Sequence, residues 1–161
     1  MDQTQPATRV SALDSSGDPG VALFRLIRHW ARRAPQRSAM VATGSAKDVP
    51  RILVIDAVAT AHEHAEFVDV TAVARALGID HSGASRMVSD AVQAGLLTRS
   101  TAAHDTRHAA LLLTEQGEAL VTAAREWQNT VFDEFTHDWS VKDRAEFARL
   151  LVRFCAAATA H

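Results

Sequence analysis

The sequence predicts a mainly α-helical protein with one small β-hairpin, and three observations favour this class. Apolar residues recur at three- and four-residue spacing through most of the chain, as on the buried face of a helix. Two β-prone runs, 97–100 and 109–113, flank a polar segment rich in turn residues, which is typical of a hairpin. Hydrophobic residues form 47% of the 161 residues, enough for the core of one domain. We expect that domain to cover residues 21–161, after a flexible tail over 1–20 that lacks periodic apolar positions.

Composition and charge bear on the class of protein. The net charge of -2 does not favour a general coat for nucleic acid, although a local basic face is compatible with it. The sequence has one cysteine, Cys155, so no disulfide can close within the chain, and its apolar neighbours predict a buried core side chain. No apolar run approaches the roughly 18 residues of a membrane span, and the N-terminus has no apolar signal core. We therefore expect a cytoplasmic protein.

The first third of the domain is predicted to contain two helices and a short strand. Apolar residues at helical spacing over Val21–Pro35 alternate with arginines and predict a basic amphipathic helix. Residues 36–50 contain Gly, Ser and Pro and are expected to form a loop, with room for a short turn of helix. A second helix is expected over about 51–64, and the β-prone residues 67–70 predict a single strand.

A short helix, a glycine turn and a longer helix are predicted to follow one another over about 71–94. The short helix covers 71–77 and ends at Gly78, which can adopt the left-handed backbone conformation of a tight turn. Asp80 is placed to cap the longer helix, over about 81–94, because its carboxylate can accept from the first free N–H groups. This order is a helix-turn-helix pattern.

The outer face of the longer helix carries small hydroxyl side chains and one arginine. Surface helices usually carry Glu and Lys there, since these residues favour helix and solubility. Serines instead let the backbone come close to a phosphate-lined groove, and they can hydrogen-bond base edges. A plain solvated face is the alternative interpretation. The predicted DNA-binding face of this helix consists of Ser82, Ser85, Arg86 and Ser89.

The predicted hairpin covers about 97–113 and follows Gly95, which ends the longer helix. Its connection contains Asp105 and Arg107, and the Asp105 carboxylate is expected to stabilise the turn or hold the arginine. A positioned arginine can enter a minor groove, whose negative potential attracts it. The alternative is a surface ion pair worth about 1 kcal/mol or less. Such a hairpin is called a wing, so the predicted fold is a winged helix-turn-helix.

Three ordered motifs accompany the helix-turn-helix. They are Gly95-Leu96-Leu97-Thr98-Arg99, Asp105-Thr106-Arg107 and Leu111-Leu112-Leu113-Thr114-Glu115-Gln116-Gly117. Together they resemble the MarR family of winged-helix transcription regulators over roughly residues 21–157. The resemblance implies a homodimer on pseudo-palindromic double-stranded DNA, usually a repressor and often released by a small-molecule effector.

The resemblance also implies roles for individual residues. By position, the helix face described above meets DNA together with Arg99 at the base of the wing and Arg107 at its tip. His108 follows Arg107 where a second arginine is common in the family, which lowers the expected non-specific affinity. The family usually places its effector between the dimerisation helices and the winged core. Trp30, Ile52 and Ile55 would then form walls of the pocket, although the same side chains suit a core equally well.

Both ends of the domain carry apolar stripes. One lies on the first helix, and the other on a last helix that ends near Ala158 and follows a long helix over 115–135. Ser140, with Asp143 three residues on, predicts the cap of that last helix. Two such stripes are best buried by a two-fold partner, so we expect N- and C-terminal dimerisation helices. Packing of both stripes on their own core is the alternative.

Metal sensing and redox sensing are two alternatives to this interpretation. The sequence His62-Glu63-His64, with His104 and His108, suggests a metal sensor. Residues two apart on a helix point roughly 200° from each other, however, and the better-spaced pair of His62 and Glu66 has no further ligand near in sequence. A redox role for Cys155 lacks an adjacent cation that would stabilise a thiolate. We expect neither a metal nor a cofactor.

Two further classes remain as contrasts. The sequence has no Gly-rich phosphate loop, no nucleophile elbow and no paired carboxylates in an apolar context, so we do not expect an enzyme. A winged-helix module that binds another protein instead of DNA stays open, because a fold does not determine a function.

Overall fold

The computed structural model describes residues 18–31, 33–65, 67–101 and 109–159. The predicted wing tip, with His104, Asp105, Arg107 and His108, lies outside these residues, as do Glu66 and most of the predicted tail. The helices and strands are, in order, α1 Pro19–Trp30, α2 Arg33–Thr43, a 3-10 turn Ala46–Asp48, α3 Val49–His62, α4 Val70–Leu77, α5 His81–Gln93, β1 Leu97–Thr101, β2 Ala109–Leu113, α6 Glu115–Phe135 and α7 Val141–Thr159.

Helix α3 is the centre of the core. It packs against α4, α5 and α6, and its Val54, Ile55 and Val58 are fully buried. The inner face of α5 is buried against it, with Ala84, Val88 and Ala91 at the spacing of one helical face. The predicted helix-turn-helix and the two predicted strands are confirmed, and β1 pairs with β2 in an antiparallel hairpin.

Helix α2 lies where a loop was expected, so that part of the prediction is wrong. Pro35 falls in the first turn of α2 and Pro50 in the first turn of α3, where a missing N–H costs no intrahelical hydrogen bond. Ser38 and Ala39 are buried, and α2 packs along α6. The polar composition of the segment does not indicate a helix, because this helix is stabilised by packing against α6, far away in the sequence.

The strand expected over 67–70 is also absent from the structure. Val70 begins α4, and Asp69 caps that helix by accepting a hydrogen bond from the Ala72 N–H at 2.8 Å. The carbonyl of Val68 does accept one from the Leu111 N–H of β2 at 2.8 Å. The β-prone residues therefore form a single backbone hydrogen bond with the hairpin, and the chain then continues into α4.

The two terminal helices leave their apolar side chains exposed. Helix α1 begins at Pro19 with Asp18 as its cap, two residues before the expected start, and its Phe24 is 64% exposed. In α7 every residue from 149 to 158 is exposed. Cys155 lies among them, so its predicted burial in the core of the chain is wrong. Within the described residues, no helix is both long and apolar enough to cross a membrane.

Candidate nucleic-acid interface

The turn between α4 and α5 is held by backbone conformation and a side-chain cap. Gly78 has a φ of 63°, in the left-handed region that glycine tolerates, and this lets the Ile79 N–H donate to the Ala74 carbonyl at 3.1 Å. Asp80 caps α5 as expected, accepting from the Gly83 N–H at 2.8 Å. The Ser82 hydroxyl donates to the same carboxylate. That hydrogen bond and the one from Gly83 hold the pKa of Asp80 below its ordinary value.

The predicted polar face of α5 is present, but its members differ in what they offer a ligand. Ser82 is exposed although its hydroxyl hydrogen is directed to the cap, and Ser85 is half-buried. Arg86 is exposed and forms no salt bridge with another side chain in the described part of the chain. Ser89 is exposed and accepts a hydrogen bond from the Arg99 guanidinium at 3.1 Å. The fold therefore joins the base of the wing to the middle of α5.

The only acidic residue inside α5 forms an ion pair with an arginine of α3. Asp90 receives two hydrogen bonds from the guanidinium of Arg51 in α3, at 2.7 and 3.2 Å, and the same guanidinium binds Asp48 at 2.9 Å. The hydrogen bond from Arg51 is the main reason that the pKa of Asp90 lies below its ordinary value. The ion pair offsets part of the carboxylate charge and ties α5 to α3.

The motif before the wing, at Gly95 and Leu96, contacts the motif after it, at Thr114 and Gly117. Gly95, with a φ of 74°, ends α5, and its carbonyl accepts a hydrogen bond from the Thr114 hydroxyl at 2.7 Å. The Thr114 N–H donates to the Leu96 carbonyl at 3.1 Å, and the Thr114 hydroxyl accepts from the Gly117 N–H at 3.1 Å. A Cβ at Gly117 would lie 2.2 Å from the Leu96 carbonyl oxygen, so only glycine fits there. The start of α6 thereby fixes the end of α5 and the base of the wing.

The hairpin directs Arg99 towards α5. Its register pairs Arg99 with Leu111 and Leu97 with Leu113, so these residues share the side of the hairpin that faces the core. Leu97 and Leu111 are buried, while Arg99 is exposed at the edge of the core beside Ser89. The roles expected for Asp105 and Arg107 concern residues outside the described part.

Two arginines of this region were missed by sequence reasoning. Arg75 is exposed on α4, directly after the buried Ala74. The amphipathic pattern of α4 was the signal that could have identified it. The link from Arg51 to Asp90 carried no local signal, because the two residues are 39 positions apart in the sequence.

The three residues expected to form effector-pocket walls occupy different environments. Ile52 lines a cavity of about 230 Å³ between α2, α3 and α6. Ile55 is fully buried in the core, and Trp30 packs edge-on against Phe135 at a ring-centre distance of 5.5 Å. Neither of these two side chains lines the cavity, whereas Trp127 of α6 does.

The histidines considered for metal binding are placed differently from a shared site. The Nε2 atom of His62 lies 2.8 Å from the Leu111 carbonyl oxygen, a hydrogen bond that ties α3 to the hairpin. His64 is exposed after the end of α3. Among the residues that the structure describes, no three His, Cys, Asp or Glu side chains come together as they would around a metal ion.

Comparison with known proteins agrees with the geometry. The MarR family model matches residues 48–108, from the start of α3 to the end of the wing connection. No curated protein matches the chain by sequence.

Solved structures match over most of the chain. A MarR family protein from Bacillus stearothermophilus superposes with a TM-score of 0.66 at 20% identity, covering 90% of this chain and 99% of that one. Apo wild-type MarR from E. coli gives 0.65 at 17% identity, over 87% and 98% of the two chains. A mutant of S. aureus MepR bound to an oligodeoxyribonucleotide gives 0.57 at 18% identity, over 88% and 99%. Residues 48–108 therefore match the MarR family model, and the chain as a whole has the fold of the MarR family structures.

Proposed function

We propose that this protein is a homodimeric, DNA-binding transcription regulator that represses its target genes and is released by a small-molecule effector. Helix α5 enters the major groove of a pseudo-palindromic operator, and the wing lies against the neighbouring backbone and minor groove. The observation that carries the proposal is the joined surface of Arg86, Ser89 and Arg99, exposed on one side of the domain. The oligodeoxyribonucleotide bound to the similar S. aureus MepR chain supports it.

The charge of this surface supports DNA as the partner. Asp90 is paired with Arg51, and the Asp80 carboxylate accepts the hydrogen bonds of the α5 cap. The exposed guanidinium groups of Arg86 and Arg99 on this surface can bind phosphates, and Arg75 on α4 is exposed as well. Because the whole protein has a net charge of -2, the rest of its surface attracts DNA weakly. We therefore expect DNA to bind only on this face.

The exposed terminal helices support a dimer. Large apolar side chains are exposed along α1 and α7, among them Phe24, Ile27, Leu150 and Phe154. Exposed apolar side chains concentrated on the two terminal helices indicate a protein interface. A two-fold interface built from α1 and α7 would place two copies of α5 roughly 34 Å apart, one turn of DNA.

Binding to DNA is tested with the duplex that lies upstream of the gene and a scrambled duplex of equal length. In fluorescence anisotropy, the wild-type protein should bind the first duplex tighter by at least about tenfold at physiological salt. Arg86→Ala should weaken this binding, while Arg37→Ala, which removes an equal charge from an exposed position on α2, should not. A folded dimer that binds neither duplex at low salt would favour the protein-binding module instead.

A further inference from the structure

We propose that Arg51 is a positioning residue for DNA binding: without touching DNA, it keeps Arg86 of α5 available by holding the Asp90 carboxylate, which would otherwise pair with Arg86. The inference rests on the proposed function, because Arg86 belongs to the proposed DNA-binding surface. Arg51 lies on α3, outside the helix-turn-helix and the wing. Its effect on DNA binding therefore passes through Asp90.

Asp90 is placed where either of two arginines can pair with it. It follows Arg86 by four residues on α5, and residues at that spacing lie on one side of a helix, about 40° apart around its axis. An arginine and an aspartate so placed attract each other. In the structure the Asp90 carboxylate instead accepts two hydrogen bonds from Arg51, at 2.7 and 3.2 Å, and Arg86 forms no salt bridge with any other described residue. The carboxylate is therefore bound to α3, and Arg86 is left for a ligand.

The geometry of Arg51 explains why it holds this carboxylate. Its Nε and Nη2 atoms donate to the two oxygens of Asp90, the bidentate arrangement that is strongest between a guanidinium and a carboxylate. Its Nη1 atom donates to Asp48 at 2.9 Å, so a second carboxylate fixes the guanidinium in place. A pair four residues apart on an exposed helix is weak by comparison. Because all three nitrogens of Arg51 are engaged, the side chain has little capacity left for a phosphate.

Loss of Arg51 would change the DNA-binding surface in two ways. The released Asp90 carboxylate would pair with Arg86, which must then break that ion pair before it contacts a phosphate or a base. The charge of the carboxylate, no longer offset, would also repel the DNA backbone. Both effects weaken DNA binding, and both require the charge of Asp90.

Fluorescence anisotropy with the upstream duplex at low salt measures this dependence. Arg51→Ala should weaken binding about three- to tenfold, although Arg51 contacts no DNA. In the Asp90→Asn background, the same Arg51→Ala substitution should change the affinity by less than about twofold, because the carboxylate through which it acts is gone. Equal affinity of Arg51→Ala and wild type would overturn the proposal. An equal loss in both backgrounds would overturn it too, since Arg51 would then act on DNA without Asp90.

Arg125→Ala is the matched control. Arg125 lies on α6 and, like Arg51, it bridges two carboxylates, those of Asp56 and Glu63. Its side chain is 39% exposed, against 37% for Arg51. The substitution removes one positive charge and an ion-pair network that does not include α5, so the affinity should stay within about twofold of wild type. A loss as large as that of Arg51→Ala would assign the effect to stability or net charge and overturn the proposal.

A measurement without DNA separates this inference from the proposed function. The hydrogen bond from Arg51 holds the pKa of Asp90 below its ordinary value, and NMR titration of the Asp90 carboxyl carbon, assigned with Asp90→Asn, reports that pKa. In Arg51→Ala the pKa should rise but stay below its value in the variant that also carries Arg86→Ala, since Arg86 then holds the carboxylate. Equal pKa values in the two variants would overturn the competition between the arginines. A wild-type chain that binds no operator refutes the proposed function, while this titration still decides whether Arg51 and Arg86 compete for Asp90.

Discussion

Gly117 and Gly83 occupy the same position in two different helices, and only the replacement of Gly117 by alanine should destabilise the protein. Each is the third residue of its helix, and each donates its N–H to the capping side chain, Thr114 in α6 and Asp80 in α5. A Cβ at Gly117 would lie 2.2 Å from the Leu96 carbonyl oxygen, a backbone atom that cannot rotate away. A Cβ at Gly83 would meet the carboxylate tip of Asp80 at 3.3 Å.

The magnitude of the first effect follows from what must move. Relieving a 2.2 Å contact requires α6 and the base of the wing to separate by about 1 Å, which overpacking data place at about 1–3 kcal/mol. The movement also strains the hydrogen bonds that Thr114 makes to Gly95 and Leu96, each worth about 1 kcal/mol. We expect Gly117→Ala to lower the free energy of unfolding by about 2–4 kcal/mol.

Gly83→Ala should be nearly neutral or stabilising. Alanine is favoured over glycine in a helix by about 0.5–1 kcal/mol, and a carboxylate tip can give by a few tenths of an ångström. Urea unfolding followed by circular dichroism at one protein concentration measures both variants, and the fixed concentration keeps the concentration dependence of a dimer the same for both. If Gly117→Ala is as stable as Gly83→Ala, the close approach of α6 to the wing is not a feature of the folded protein.

Three further predictions concern assembly, DNA contacts and pH. Light scattering should give a mass near twice the 17.4 kDa of the chain, and a stable folded monomer at micromolar concentration would contradict the dimer. Arg107→Ala should weaken specific and scrambled duplexes alike and flatten the salt dependence by about one phosphate equivalent, whereas Arg86→Ala should cost about 1–3 kcal/mol mainly on the preferred site. Since the folded-state pKa of Asp90 is lowered by Arg51, its pairing stabilises the protein above pH about 4 and is lost as the pH falls further. Urea unfolding should therefore show the stability difference between wild type and Asp90→Asn shrinking as the pH falls from about 5 to 2, and a constant difference would exclude this ion pair as its cause.

The helix-turn-helix and the hairpin strands could be predicted because their signals are local. Asp80 and Ser140 cap helices through hydrogen bonds to N–H groups three residues ahead, and Gly78 needs only its own backbone freedom. Such features involve neighbours within one turn. The sequence therefore located them to within one or two residues without knowledge of the fold.

The sequence predictions were wrong where the structure of a segment depends on contacts with a distant part of the chain. Residues 36–43 have the composition of a loop, yet they are helical because Ser38 and Ala39 are buried in a helix packed along α6. Cys155 has the apolar neighbours of a core residue, but α7 leaves it exposed in the single chain. Local composition shows which side chains would be stabilised by burial, but it does not show which other elements of the fold pack against them.

The sequence by itself determined which residues form the polar face of α5, because a 3.6-residue period places Arg86 and Ser89 opposite Val88 and Ala91. Only the tertiary structure decided which residues from other elements contact that face. Arg99 donates to Ser89, and Arg51 forms an ion pair with Asp90, 39 residues away in the sequence. The tertiary structure also decided that Ile52 lines a cavity whereas Ile55, three residues later, is closed within the core. The physical reason is that helical period and capping act over a few residues, whereas charge compensation and cavities depend on packing between helices, whose contacts join positions far apart in the chain.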